Sequence, residues 1–194
     1  MLYLNQLEHP MVPYIHNKDG GGAPEGKNNA AAAACGPCSL CMVVENMTFA
    51  RLTLPECLRV SAEVGADRKL GTDLKILGPV IAERYGMEFS TTSDIDVLLA
   101  HLAVGGQAIA NSGGDRDDGH VGLLSHGGHY VVVVSAENGE ACILDPSLKE
   151  GKYEEEGRNG RARVVYPFVY CSLEELKDDC SNREPSFYLF KRKK

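Results

Sequence analysis

Three cysteines recur at every third residue in Cys35-Gly-Pro-Cys38-Ser-Leu-Cys41, a spacing compatible with redox, metal-binding or nucleophilic chemistry. A Cys-Gly-Pro-Cys pair is typical of a thioredoxin dithiol. Here, however, alanines rather than a hydrophobic strand precede it, and the chain has no tryptophan. Three cysteines at this spacing also form part of an iron–sulfur run, but the fourth cysteine and its proline are missing, since the next thiol is Cys57.

A nucleophilic role for Cys35 follows from its place before a predicted helix, with Pro37 in the first turn. Free N–H groups and the helix dipole favour a thiolate there. Cys38 and Cys41 would then be small buried or wall-lining thiols. The alternative is that all three cysteines are structural. The cluster alone gives these two interpretations about equal weight, with redox and metal chemistry behind them.

A histidine and a carboxylate farther along the chain favour the nucleophile. His129 follows two glycines at the mouth of the most apolar segment of the sequence, residues 129–135, where an unpaired histidine would be costly. Asp145 ends the predicted return strand. Alone, His129 would be interpreted as a satisfied core histidine. Together with Cys35 and Asp145, it matches the nucleophile, base and orienting group of acyl transfer.

The hairpin between His129 and Asp145 sets a geometric condition on this set. A two-residue turn at Asn138-Gly139 would place Asp145 opposite Val132, about 10 Å along the strand from His129. A direct pair requires an odd loop, either 136–138 or 135–139, with a residue at positive φ. We predict such a loop. A two-residue turn in a regular ladder would count against Asp145.

Apolar periodicity and capping signals predict helices first and strands afterwards. The predicted helices begin at Cys35, cover 55–64, begin at a Thr72 cap with Pro79 inside, and cover 93–104. The predicted strands cover 107–111, 129–135, 141–145, 163–170 and 186–191, with Pro167 confining the fourth to an edge or a bend. Ser172-Leu-Glu-Glu175 is a capping box for a short helix. This order predicts an α+β fold, with the nucleophile helix of the N-terminal half packed on a C-terminal antiparallel sheet.

Composition narrows the class of protein. The 194 residues, 43% hydrophobic and 24% charged, suit one domain over 1–194, with an N-terminal strand and a mobile loop (residues 17–29) inside 1–34. A net charge of -7 disfavours a nucleic-acid partner. No segment approaches the ~18 apolar residues of a membrane span.

The seven cysteines, without a signal-peptide pattern, predict reduced thiols in a cytoplasm. Secretion is expected only if a leader is missing. The oligomeric state is not predicted.

Two other segments resemble metal sites only weakly. Residues 113–119 lack the ligand spacing of a calcium loop, and we predict that the segment before His129 is a flexible lid. His120, His126 and His129 are separated by glycine-rich sequence that holds no fixed geometry for zinc. No metal or cofactor is therefore expected.

The quoted blocks resemble a known family. Cys35-Gly-Pro-Cys-Ser-Leu-Cys-Met-Val-Val resembles the C-G-P-T-S-L-A-M-V-L signature of the bacteriocin-processing (double-glycine) peptidase-like group of papain-fold cysteine peptidases. The histidine block at Gly128-His129, the aspartate block at Leu144-Asp145-Pro146 and the opening at Val12-Pro13-Tyr14-Ile15 are similar too, in the family's order. The resemblance implies a papain-like (cathepsin-type) fold, Cys35 as nucleophile, His129 as general base and acid, and Asp145 as its orienter.

The sequence departs from this family at the oxyanion donor. Such peptidases place a glutamine about six residues before the cysteine, whereas this chain has Asn29 there, with Asn17 as the other candidate. Losing one such donor typically lowers the rate about a hundredfold.

From the residues and the resemblance together we expect a cysteine hydrolase that cleaves a peptide or amide bond through an acyl-thioester on Cys35, or an acyl transferase that uses the same residues. The alternatives are a catalytically weak or inactive peptide-binding module and, third, a dithiol oxidoreductase using Cys35 and Cys38.

Overall fold

The computed structural model describes residues 1–14, 28–68 and 71–193. A 3₁₀ turn spans Gln6–Glu8. Helices α1 to α6 span Ala30–Ala33, Cys35–Met47, Leu54–Val64, Leu74–Arg84, Ile95–Ala103 and Leu173–Asp179. Strands β1 to β9 span Asp67–Arg68, Gly71–Thr72, Met87–Thr92, Gln107–Ser112, His129–Glu137, Glu140–Leu144, Ala162–Val165, Phe168–Ser172 and Phe187–Arg192.

The larger strands form one antiparallel sheet, whose order over the described residues is β3-β9-β4-β5-β6-β8-β7. Helices α2, α3 and α4 cover one face, in a core that contains Leu40 and Val132. Helices α5 and α6 cover the other face, in a core that contains Val131 and Leu176. The run of valines in β5 does not alternate because both of its faces are buried. The predicted α+β fold, with the nucleophile helix packed on the sheet, is confirmed.

Two strand predictions were incomplete. Residues 87–92 form β3, which pairs along its whole length with β9 at an edge of the sheet, although the sequence predicted only helices between residues 35 and 104. Its mixed, largely exposed side chains give neither an apolar run nor clean alternation. The predicted strand over 163–170 divides at Tyr166-Pro167 into β7 and β8, which pair with each other. The edge and the bend expected from Pro167 are both present.

Local signals set most helix ends within a residue or two of the prediction. Helix α3 ends at Gly65, whose φ of 73° is left-handed, as a glycine allows. Asp73, rather than Thr72, caps α4. No N-terminal strand is present in residues 1–14, where the chain makes one bridge, from Pro13 to Asn29. The predicted mobile loop lies outside the described residues over 17–27. No helix in the described part of the chain is long and apolar enough to cross a bilayer.

The segment 113–128, which leads from β4 into β5, is fastened to the end of α6. The buried carboxylate of Asp179 accepts hydrogen bonds from the backbone N–H groups of Leu123 (2.6 Å) and Leu124 (3.1 Å). It also contacts Nε2 of His120 at 3.1 Å. This anchoring differs from the flexible lid that the sequence predicted. It places the chain immediately before His129 in a defined position.

Replacing Asp179 by Asn tests this anchor. An amide has one acceptor oxygen, so its NH₂ group would face one of the two backbone donors and leave that donor unpaired. We expect Asp179→Asn to lower the free energy of unfolding by about 1–3 kcal/mol, measured by urea denaturation. Asp117→Asn is the matched control, since Asp117 is exposed on the same segment. Equal stability of the two variants would contradict the anchoring role.

Candidate active site

Helix α2 begins at Cys35 and is seated closely on the sheet. A Cβ at Gly36 would lie 3.1 Å from Cβ of Thr72 and 3.3 Å from the ring of Tyr130, so a side chain there would crowd the contact. Ser39 Oγ donates to the carbonyl oxygen of Tyr130 at 3.4 Å. These contacts bring the start of α2 against the start of β5, where His129 lies. Cys35 is half-buried, and Cys38 is fully buried.

His129 and Asp145 form a buried pair. Nε2 of His129 lies 2.8 Å from Oδ1 of Asp145, and His129 is only 6% exposed. The structure thus brings together the three residues that the sequence selected, although their catalytic roles stay predictions.

The carboxylate of Asp145 has partners on both oxygens. Oδ1 accepts from the backbone N–H of Ser147 at 2.8 Å. Oδ2 accepts from the hydroxyl of Tyr153 at 2.8 Å and from the ammonium group of Lys152. Tyr3 donates its hydroxyl proton to the backbone carbonyl of Asp145 at 2.8 Å. A buried carboxylate with this many donors is held in a single orientation.

The route to this pair differs from the predicted odd loop. The turn has two residues, Asn138 and Gly139, with φ of 53° and 80°, so the predicted positive φ is present but the odd loop is wrong. The register shifts instead between Val133 and Ser135, where a β-bulge adds one residue to β5.

Like the predicted odd loop, the bulge shifts by one residue the position on β5 that lies opposite Asp145. It pairs Val132 with Leu144, which places the next residue, Asp145, level with Val131 rather than Val132. Side chains alternate along a strand, so Val131 and His129 point to the same side. Asp145 therefore lies within diagonal reach of His129. The ladder is not regular, and the condition that would have counted against Asp145 is not met.

The surroundings of Cys35 favour a thiolate. Burial by itself raises the pKa of Cys35, but a hydrogen bond with His129 and the positive charge of that ring lower it. Backbone hydrogen bonds from Tyr130 and Gly36 lower it further. The net result is a pKa of Cys35 below its ordinary value. In contrast, burial holds the pKa of Cys38 well above its ordinary value.

The charge on His129 is also stabilised. Burial and the positive charge of Lys152 lower the pKa of His129, but its contacts with Asp145 and Cys35 outweigh them and raise the pKa above its ordinary value. Because Nε2 faces Asp145, Nδ1 is the ring nitrogen left to exchange a proton with Cys35. A lowered thiol pKa and a raised imidazole pKa together describe a thiolate–imidazolium pair.

A cleft of about 520 Å³ opens beside Cys35 and His129. Its lining includes three basic side chains and two acidic ones, namely Arg68, Lys75, Arg183, Asp73 and Glu184. Cys35 is thus half-exposed at the side of an open cleft.

Of the two predicted oxyanion residues, the structure describes Asn29. Asn17 lies outside the described residues. Asn29 caps helix α1, where its side-chain oxygen accepts from the backbone N–H of Ala32 at 3.0 Å. The structure therefore shows a capping function for Asn29, and the donor role stays a prediction for both residues.

Sequence reasoning missed three residues around Asp145, namely Ser147, Lys152 and Tyr153. They follow Asp145 in a polar, turn-rich segment that is typical of solvated loops. The two other histidines of the suggested zinc set instead contact separate carboxylates, His120 at Asp178 and Asp179 and His126 at Asp115 and Glu155. The described residues contain no cluster of metal-binding side chains.

Solved structures share this fold. A C39-like peptidase from Bacillus anthracis matches with a TM-score of 0.60 and 12% identity, over 100% of this chain and 94% of that chain. The peptidase domain of ComA from Streptococcus, a bifunctional ABC transporter of a quorum-sensing pathway, matches with a TM-score of 0.50 and 15% identity, over 82% of this chain and 91% of that domain.

A double-glycine-motif protease from an AMS/PCAT transporter, solved with its leader peptide, has a TM-score of 0.48 and 18% identity over 82% of this chain and 84% of that chain. No family model and no curated protein matches the sequence. The chain has the papain-like fold of the C39-like peptidases, as the sequence motifs predicted.

Proposed function

We propose that this protein is a papain-like cysteine peptidase that cleaves a peptide or amide bond. The observation that carries the proposal is the contact of His129 with both Cys35 and the buried Asp145, at the side of an open cleft. The shared fold supports it, since the first two solved neighbours are described as peptidases.

The chemistry follows from the ion pair. The Cys35 thiolate attacks the carbonyl carbon of the scissile bond, and the C–N bond breaks as the imidazolium of His129 gives its proton to the leaving amine. This step leaves an acyl-thioester and a neutral ring. His129 then takes a proton from water, whose oxygen attacks the thioester carbonyl. The C–S bond then breaks, which releases the carboxylic acid and restores the Cys35 thiolate beside the imidazolium of His129. An amine in place of water would give acyl transfer by the same residues.

Stabilising the developing oxyanion requires donors beside Cys35. Its own backbone N–H, at the start of α2, is one donor. We assign the second donor to Asn17 or Asn29. Without it the fold would act as a peptide-binding module with slow turnover. We also propose a cytoplasmic location, because none of the seven cysteines is paired in a disulfide and free thiols persist mainly in reducing compartments.

The thiolate is tested by alkylation. Because the pKa of Cys35 is lowered, we expect iodoacetamide to label it at pH 6–7, below the range in which an ordinary thiol reacts (its pKa is about 8.5). His129→Gln removes the hydrogen bond and the charge, so labelling at this pH should fall at least about tenfold. Peptide mass spectrometry locates the label.

Cys142 serves as an internal control, because burial raises its pKa although it is only half-buried. Cys35 and Cys142 should therefore differ in rate below pH 8. Equal labelling of the two thiols, or no labelling of Cys35, would overturn the enzyme proposal. An oxidised Cys35–Cys38 pair in place of the label would favour the dithiol alternative.

Turnover is tested with a mixed peptide library, with products identified by mass spectrometry. Cys35→Ala should abolish cleavage. Asp145→Asn should lower kcat/KM by about two orders of magnitude, because both oxygens of Asp145 accept hydrogen bonds and the NH₂ group of an amide would face a donor at either position. Glu154→Gln, on an exposed turn, is the control. Peptide binding without products in the wild type would instead support the binding-module alternative.

The oxyanion donor is tested by Asn17→Ala and Asn29→Ala. Replacing the residue that donates to the oxyanion should lower kcat about a hundredfold with little change in KM. Loss of a helix cap alone would lower the stability by about 1 kcal/mol and leave kcat nearly intact. Thermal unfolding of each variant separates these effects, and two variants with unchanged kcat would exclude both asparagines.

A further inference from the structure

A buried lysine lies at the centre of the site although the reaction does not call for one. The side chain of Lys152 is 5% exposed, and lysine is almost never this buried unless it is paired. Its ammonium group donates to Oδ2 of Asp145 and, at 2.7 Å, to Oγ of Ser147. The lysine thus contacts the same carboxylate that holds His129, on the oxygen that His129 does not use.

The net charge of these buried groups is zero only when Lys152 is included. In the ion-pair state Cys35 is negative, His129 positive and Asp145 negative, which leaves one uncompensated negative charge in a buried cluster. Lys152 brings the sum to zero. Without it, the imidazolium would face the full charge of Asp145 and would give up its proton less readily.

Ser147 connects the lysine to the ring. Its hydroxyl oxygen lies 3.0 Å from Nε2 of His129 and 3.1 Å from Oδ1 of Asp145. Because Lys152 donates to this oxygen, the single hydroxyl proton is directed to Asp145 and a lone pair faces Nε2–H. The arrangement keeps a proton on Nε2 and therefore leaves Nδ1 to exchange a proton with Cys35.

We propose that Lys152 is a positioning residue of the site, which shares the Asp145 carboxylate with His129 and so limits how tightly the imidazolium is held. The expected effect on turnover rests on the proposed function, because an imidazolium that holds its proton too tightly transfers it slowly to the leaving amine. Nothing in the sequence pattern assigns a role to this residue.

Other charged groups near His129 do not replace the lysine. Cys35 faces the ring from α2, and Asp145 faces it from the end of β6. The guanidinium of Arg183 lies beside Gly128, where its Nη2 would be 2.7 Å from an added Cβ, but no contact joins it to the Asp145 carboxylate in the described residues. Tyr153 reaches that carboxylate through a neutral hydroxyl. Among the residues that the structure describes, Lys152 and His129 are the cationic side chains bonded to the Asp145 carboxylate.

The test is the titration of His129 followed by NMR of its ring C–H resonance, assigned with His129→Gln. In Lys152→Met, and in Lys152→Gln, which keeps a hydrogen-bond donor without the charge, the pKa of His129 should rise by about one unit relative to the wild type. The basic limb of kcat/KM against pH should move upward with it. The remaining histidine resonances report whether the fold is intact.

Lys149→Met is the matched control. Lys149 is a largely exposed lysine of the same loop that pairs with Glu155, and its loss should leave the titration of His129 unchanged. An unchanged pKa in folded Lys152 variants would overturn the proposal. So would the failure of both neutral variants to fold while Lys152→Arg folds, since the lysine would then be a structural counter-charge. Unreactive Cys35 in the wild type would defeat the proposed function separately.

Discussion

The hydrogen bond between His129 and the buried carboxylate of Asp145 is the interaction on which the rest of the site depends. Burial opposes ionisation of Asp145, but the positive charges of Lys152 and His129 hold the pKa of its carboxyl well below the usual range. A charge in that position is stable only while every partner is in place. The N-terminal segment through Tyr3, strands β5 and β6, and the loop with Lys152 and Tyr153 all converge on this one residue.

The hairpin shows what local sequence can and cannot specify. Asn138-Gly139 predicted a turn with a residue at positive φ, because few residues adopt the left-handed region, but the odd loop length expected there was wrong. The bulge near Val134 was not predictable, since an extra residue in a run of four valines leaves no trace in composition or periodicity. That one residue decides whether Asp145 points toward His129 or away from it. The tertiary contact was therefore inferred correctly for the wrong local reason.

A similar division holds across the molecule. Helix α2 and strand β5 were predictable because a proline, a strong apolar pattern and flanking glycines mark them locally. Strand β3 was missed because its stability comes from pairing with β9, nearly a hundred residues later. The anchoring of segment 113–128 by Asp179 and the burial of Lys152 were missed for a related reason. Each is a polar side chain in a sequence that resembles a solvated loop, and only distant partners make it part of the interior.

The lowered pKa of Cys35 shows why the cysteine cluster alone could not single it out. Cys35 and Cys38 lie on the same helix, within one turn, yet their pKa values move in opposite directions. Burial raises both, so burial is not the difference. Cys35 alone is hydrogen-bonded to His129 and to the backbone of Tyr130, groups that β5 supplies. The start of the helix thus favours a thiolate, but β5 supplies the groups that lower the pKa of Cys35 and not that of Cys38. Asp145 in turn holds the ring of His129, the first residue of that strand.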